Sequence, residues 1–162
     1  MTAPLKFDPR LDLKLDRVID VSPALVWTAW TTPEHLVHWF CPKPWMVTKC
    51  EIDLRPGGIF HTVMRGPNGE EAPHTGCYLD VVPNERLVWT SALLPLYRPA
   101  PDGAVPAFTA YITIEPAGAG SRYVATVLHR DEAGRQKHEA MGFHEGWGIV
   151  TDQMVVYAKT IR

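Results

Sequence analysis

Seven histidines are the residues of this chain best suited to acid–base or metal chemistry, because imidazole changes charge near neutral pH and ligates metals when neutral. The run HEAMGFHE (138–145) comes nearest to a metallopeptidase signature. That chemistry needs HExxH, with both imidazoles one helical turn apart. His138 and His144 are six residues apart, about 600° of helix, so they project in different directions. His35 and His38 could share a face of a short helix, but no third ligand accompanies them. Neither a metal nor a cofactor is expected.

His61, His74 and His129 fall on expected strands. If Phe60 and Met64 face inward, His61 faces outward. His74 precedes Thr75-Gly76, where a bulge could tip it either way. His129 ends a strand whose inner face is either Tyr123/Ala125/Val127 or Val124/Thr126/Leu128. Any of the three could serve as a general acid or base, although polar residues satisfied within a curved sheet are commoner. Triads are spatial sets, so spacing alone assembles no Ser-His-Asp or Cys-His group and the catalytic residues stay unassigned. Cys77, beside Tyr78 and Leu79, reads as a packed thiol rather than an activated one.

The aromatic and methionine residues carry a stronger signal. Trp27, Trp30, Trp39, Phe40, Trp45, Phe60, Met64, Trp89, Phe108, Met141, Phe143 and Trp147 all fall on elements that face a common interior. Each could simply fill the core. Together they suit the walls of an apolar pocket, rigid and bulky, with a few polar groups for orientation. The ligand-binding set expected on this ground is Trp27, Trp39, Phe60, Met64, Trp89, Phe108, Met141 and Trp147. His144 joins the set, since His144 and Glu145 beside Trp147 could supply one such polar group.

These residues must be positioned by a fold, and its elements can be read in order. LDLKLDRVIDV (11–21) alternates apolar and polar, as a half-buried strand does. Ser22-Pro23 and Thr32-Pro33 are two helix starts in succession, predicting short helices over 23–30 and 33–40, the second stopped by Pro42 and Pro44. Strands follow near 46–55, 58–65, 73–82, 85–92, 106–115 and 121–129, separated by turn signals short enough to make an antiparallel sheet. In AFTAYITIE, Phe108, Ala110, Ile112 and Ile114 share one face. From Asp131 the chain reads as helix, with Trp147, Val150, Met154, Tyr157 and Ile161 on one stripe. Gly142, Gly146 and Gly148 predict a break there or close packing on the sheet.

The pair Gly57-Gly58 in DLRPGGIF tests the alternative of a phosphate-binding loop. Such a loop leads into a helix, and here a strand follows, so the glycines mark a hairpin turn. The segment LLPLYRPAPDGAVPAF (93–108) is apolar for a loop, and its prolines forbid regular pairing. It reads as a long hairpin connection, a lid over the pocket mouth or a dimer contact.

Bulk composition narrows the function classes. The 162 residues suit one domain, and 46% hydrophobic with 21% charged residues is an ordinary globular balance. A net charge of −2 with 16 scattered Lys and Arg argues against nucleic acid as a partner. The opening MTAPLKFDPR lacks an apolar signal core and no run is long enough to span a membrane, so no membrane partner is expected. Three cysteines without a CxxC argue against a disulfide framework, and a cytoplasmic protein is expected.

Four stretches, RVIDVSPALVWTAWTTPEHLVHWF, DLRPGGIFHTVMRGPNGE, GCYLDVVPNERLVWT and GFHEGWG, give the chain a family resemblance over about residues 15–160. It resembles the heat-shock-protein-90 ATPase activator-like family, within the START-like, polyketide-cyclase-like (SRPBCC) helix-grip superfamily. The resemblance implies one α+β helix-grip domain over 1–162. In that fold a curved seven-stranded antiparallel sheet wraps a long C-terminal helix, with two short helices after the first strand. It also implies an internal cavity between sheet and helix, and pairing into homodimers. The expected function is non-covalent binding of a small apolar or aromatic molecule in that cavity. An enzyme of the cyclase or hydrolase kind using the same cavity is one alternative. A chaperone-interacting module is the other.

Overall fold

The computed structural model describes residues 4–161. The first strand, β1 (Asp12–Ile19), leads into α1 (Pro23–Thr31) and α2 (Pro33–Leu36). Ser22 caps α1 by accepting a hydrogen bond from the Leu25 amide, with Pro23 behind it where a missing N–H costs nothing. The second helix is shorter than its proline-bounded stretch allows. It closes at Leu36, and turns carry the chain through Trp39 and Phe40.

Six long strands and a small ribbon follow. They are β2 (Met46–Ile52), β3 (Ile59–Arg65), β4 (Glu71–Val82), β5 (Arg86–Thr90), the two-residue β6 (Leu93–Leu94) and β7 (Arg98–Pro99), β8 (Phe108–Ala117) and β9 (Gly120–His129). The main sheet is antiparallel in the order β1-β9-β8-β5-β4-β3-β2, so the first and second strands of the chain lie at opposite edges. Pro73 sits inside β4 without breaking it. It pairs only with Val63 of β3, because β5 does not begin to pair until Cys77, and its missing N–H faces no partner.

The Gly57-Gly58 turn is structural. Gly57 takes φ +83°, its amide donates to the Tyr78 carbonyl at 2.7 Å, and a Cβ there would press on the Tyr97 ring at 3.1 Å. The connection from β5 to β8 folds back on this turn, since the Leu96 amide donates to the Gly57 carbonyl at 2.9 Å. That contact holds Leu96 and Tyr97 at positive φ, 61° and 67°.

The C-terminal third is two helices, α3 (Glu132–Ala140) and α4 (Phe143–Ala158), broken at Gly142 with φ +94°. Met154 and Ala158 of α4 are fully buried beneath the inner face of the sheet. That face is Ala110, Ile112 and Ile114 of β8 with Tyr123, Ala125 and Val127 of β9, which settles the parity that the β9 sequence leaves open. Gln153 of α4 donates to the carbonyls of Trp39 and Cys41 at 3.0 and 2.9 Å, holding the loop after α2 over the helix.

Candidate functional site

Beneath that loop and beside the α3–α4 break the packing stops short. A cavity of about 820 Å³ remains, within the roughly 300–1,000 Å³ typical of small-molecule sites. Its floor is the sheet: Met64 of β3, His74 of β4, Trp89 of β5, Phe108 of β8 and Tyr123 of β9. Its roof is Phe143, Trp147 and Val150 of α4, with Met141 and Gly142 at the break. Trp30, Phe40 and Pro42 close one side, and residues 100–107 of the β5–β8 connection form another. The proline-rich segment is thus a wall of the cavity for half its length. Gly146 lines the cavity too, and a Cβ there would meet nothing within 4 Å.

Of the residues expected to bind ligand, Met64, Trp89, Phe108, Met141 and Trp147 lie together on this wall. The other four do not. Phe60 is 1% exposed and spent on the sealed core, its ring packed by Phe40, Tyr78 and Trp89 at 5.0–5.5 Å. Trp39 is equally buried, its indole N–H donating to the Ala29 carbonyl at 3.2 Å. Trp27 packs against the same core from α1. His144 lies off the wall, 2.8 Å from a Glu139 carboxylate oxygen on an exposed surface, because one helical step of about 100° separates it from the inward-facing Phe143.

The strand histidines divide by pleat. β3 and β4 pair in regular register through Thr62/His74 and His61/Thr75, and the β4 irregularity lies later, between Tyr78 and Asp80. No bulge is needed to bring His74 in: it shares the inner face with Thr62, while His61 faces away and meets the Thr75 hydroxyl at 2.8 Å. His74 stacks on Phe108 at 6.3 Å and meets Trp89 edge-on at 5.9 Å. Burial holds its imidazole below the ordinary histidine range, with His61 adding to the effect.

A second histidine, assigned no cavity role on sequence grounds, also reaches the wall. His138 of α3 packs on Phe108 at 4.9 Å and on Phe143 at 5.4 Å. Its Nδ1 lies 2.8 Å from Nε2 of His129, whose Nδ1 lies 2.8 Å from the Leu11 carbonyl. Burial, helped by the neighbouring imidazole, pushes His138 down to about 4. Burial likewise lowers His129, although the Leu11 carbonyl pulls the other way. His138 and His144, six residues apart, lie on different sides of the α3–α4 break, one buried and one exposed. Nine residues separate His138 from His129, and only the return of α3 against β9 brings them together. No cluster of three or more potential metal ligands occurs among the described residues.

A seven-stranded antiparallel sheet closed over a C-terminal helix, with a cavity between them, defines the helix-grip class. The chain belongs to the family of activator of Hsp90 ATPase homolog 1-like proteins, whose family model matches residues 20–159. A crystal structure of a protein from Nitrosomonas europaea is similar at 48% identity, with a TM-score of 0.89, covering 94% of this chain and 97% of that one. Proteins from Rhodobacter sphaeroides and Arthrobacter aurescens share the fold at 20% and 21% identity, each with a TM-score of 0.82. The first covers 97% of this chain and 98% of its own, the second 99% and 94%. No curated protein matches the chain. Among the described residues no helix is long and apolar enough to cross a membrane.

Proposed function

We propose that this protein binds a small, largely apolar aromatic molecule in the cavity between sheet and C-terminal helix. The supporting observation is the composition of the wall. Trp30, Phe40, Trp89, Phe108, Phe143 and Trp147 present aromatic faces to unfilled space, while His74, Ser91, His138 and Thr151 supply a few polar groups. Well-packed interiors leave few voids larger than a water molecule. An aromatic-lined space of this volume therefore suits an occupant better than a core. The three cysteines are free thiols, which suits a reducing compartment such as the cytoplasm.

An enzymatic reading is favoured by one observation. Two histidines with lowered pKa, half-buried His74 and buried His138, belong to the cavity wall, where perturbed groups often mark catalysis. The binding reading ranks first because an imidazole whose pKa is lowered is a weaker base, and no Ser, Thr or Cys side chain hydrogen-bonds to either ring among the described residues.

Native mass spectrometry of the protein purified from its own host tests the proposal. We expect an adduct that survives gentle ionisation, is released by denaturation, and is lost in the Trp147→Ala and Phe108→Ala variants. A ligand-free protein that also fails to bind naphthalene-sized aromatics in titration would refute it.

A further inference from the structure

The histidine pair behind Phe108 bears on which molecules the cavity takes, and this inference rests on the binding reading above. The pair is a hydrogen-bonded chain with a forced direction. A carbonyl oxygen only accepts, so the Leu11 oxygen 2.8 Å from Nδ1 of His129 requires a proton on that nitrogen. In a neutral ring the other nitrogen is then bare, so Nε2 of His129 accepts. Its neighbour at 2.8 Å, Nδ1 of His138, must therefore donate. A neutral His138 is left with its lone pair on Nε2, which has no hydrogen-bond partner among the described residues. The two rings are 7% and 8% exposed. Asp12 on β1 and Asp131 ahead of α3 favour a charge on His129, Arg135 of α3 opposes it, and burial outweighs the acids. The rings stay neutral, and the tautomers follow.

We propose that Nε2 of His138 accepts a hydrogen bond from the bound molecule, so that the cavity selects an uncharged aromatic carrying an O–H or N–H donor, such as a phenol. The ring sits between Phe108 and Phe143, where an aromatic body would lie beside the acceptor. No lysine or arginine is among the residues lining the cavity, so a carboxylate would enter without a counter-charge. Asp102, the one carboxylate of the wall, has a side chain 94% exposed and is solvated rather than aimed at a ligand. His129 is not on this wall. It is a positioning residue, which acts by fixing the tautomer of His138.

The test compares three probes of one shape, 2-naphthol, naphthalene and 2-naphthoate, by calorimetry and tryptophan quenching at pH 7.5. We expect 2-naphthol to bind about tenfold more tightly than naphthalene, the effect of one buried hydrogen bond, and 2-naphthoate to bind most weakly. His138→Phe should keep naphthalene binding and bring 2-naphthol down to the same level. His129→Phe should weaken 2-naphthol selectively. Long-range nitrogen–proton NMR of the unaltered protein should show His138 protonated on Nδ1 and bare on Nε2, a readout that stands even if a variant fails to fold. Equal binding of 2-naphthol and naphthalene, or a proton on Nε2, would overturn the inference and leave the cavity reading intact. Failure of all three probes to bind would overturn the inference, and with it the binding reading where the protein from its own host also carries no ligand.

Discussion

Phe60 and Phe108 both stand on inner positions of the sheet with their rings against Trp89, at 5.0 and 5.4 Å, and yet their surroundings differ. Phe60 lies under the loop after α2, which Gln153 ties down, and Phe40 and Tyr78 complete a closed aromatic shell around it. Phe108 lies under the α3–α4 break. Its remaining neighbours, His74, His138 and Trp147, stand 4.9–6.4 Å away and edge the cavity. The same residue type on the same sheet is structural in one place and available in the other. What separates them is what packs above: Phe40 of the loop lies directly on Phe60, whereas the break between α3 and α4 leaves room over Phe108.

The largest expected effect is on that contrast itself. Phe60→Ala removes a ring from a closed shell and should cost roughly 3–5 kcal/mol in urea unfolding. Phe108→Ala, already open on one side, should cost roughly 1–2 kcal/mol. Equal losses at the two sites would erase the distinction. Next is the pH dependence. Burial lowers His138, His129 and His74 in the folded protein, so below the unfolded value of 6.5 the unfolded chain takes up more protons. Stability from these groups is therefore complete above pH 6.5 and is lost as pH falls toward about 4, the folded value of His138. Acidification from pH 7 to 4 should cost about 2–3 kcal/mol through His138, and His138→Phe should flatten that part of the profile.

A smaller effect separates two glycines of α4. Gly146→Ala places a methyl in empty cavity space and should stabilise by about 1 kcal/mol in thermal denaturation. Gly148→Ala gains the same helix propensity. Its Cβ, however, would meet the Arg17 guanidinium at 2.7 Å, a group held by Asp152 also at 2.7 Å, so the net change should be near zero. Smallest of all, Arg17→Gln should cost about 0.5 kcal/mol or less, since Asp152 is 74% exposed and its attraction is screened.

Much of the fold was legible because it rests on local rules. Ser22-Pro23 starts a helix wherever it stands, Gly57 and Gly142 mark positions of positive φ, and the alternation along β8 names its buried side. The site was legible by half. Aromatic type and strand phase pointed to Trp89, Phe108 and Trp147, but type could not separate them from Phe60 and Trp39, which the same rules place indoors. His144 stands near Trp147 in sequence, but the helix turns about 100° per residue, and next to the buried Phe143 it comes out on the surface. The spacing of His138 bears only on a partner six residues away and says nothing of His129, which the fold brings to 2.8 Å.

The sequence by itself determined the elements, their order and the inner faces of most strands, because hydrophobic period, capping and turn chemistry act over a few residues. Only the tertiary structure decided where the interior stays empty, which aromatics border that space and which histidine joins them. A cavity is a property of how α3, α4 and the 100–107 segment meet the sheet. The direction of the His129–His138 hydrogen bond, likewise, depends on a carbonyl of Leu11, 118 residues away along the chain.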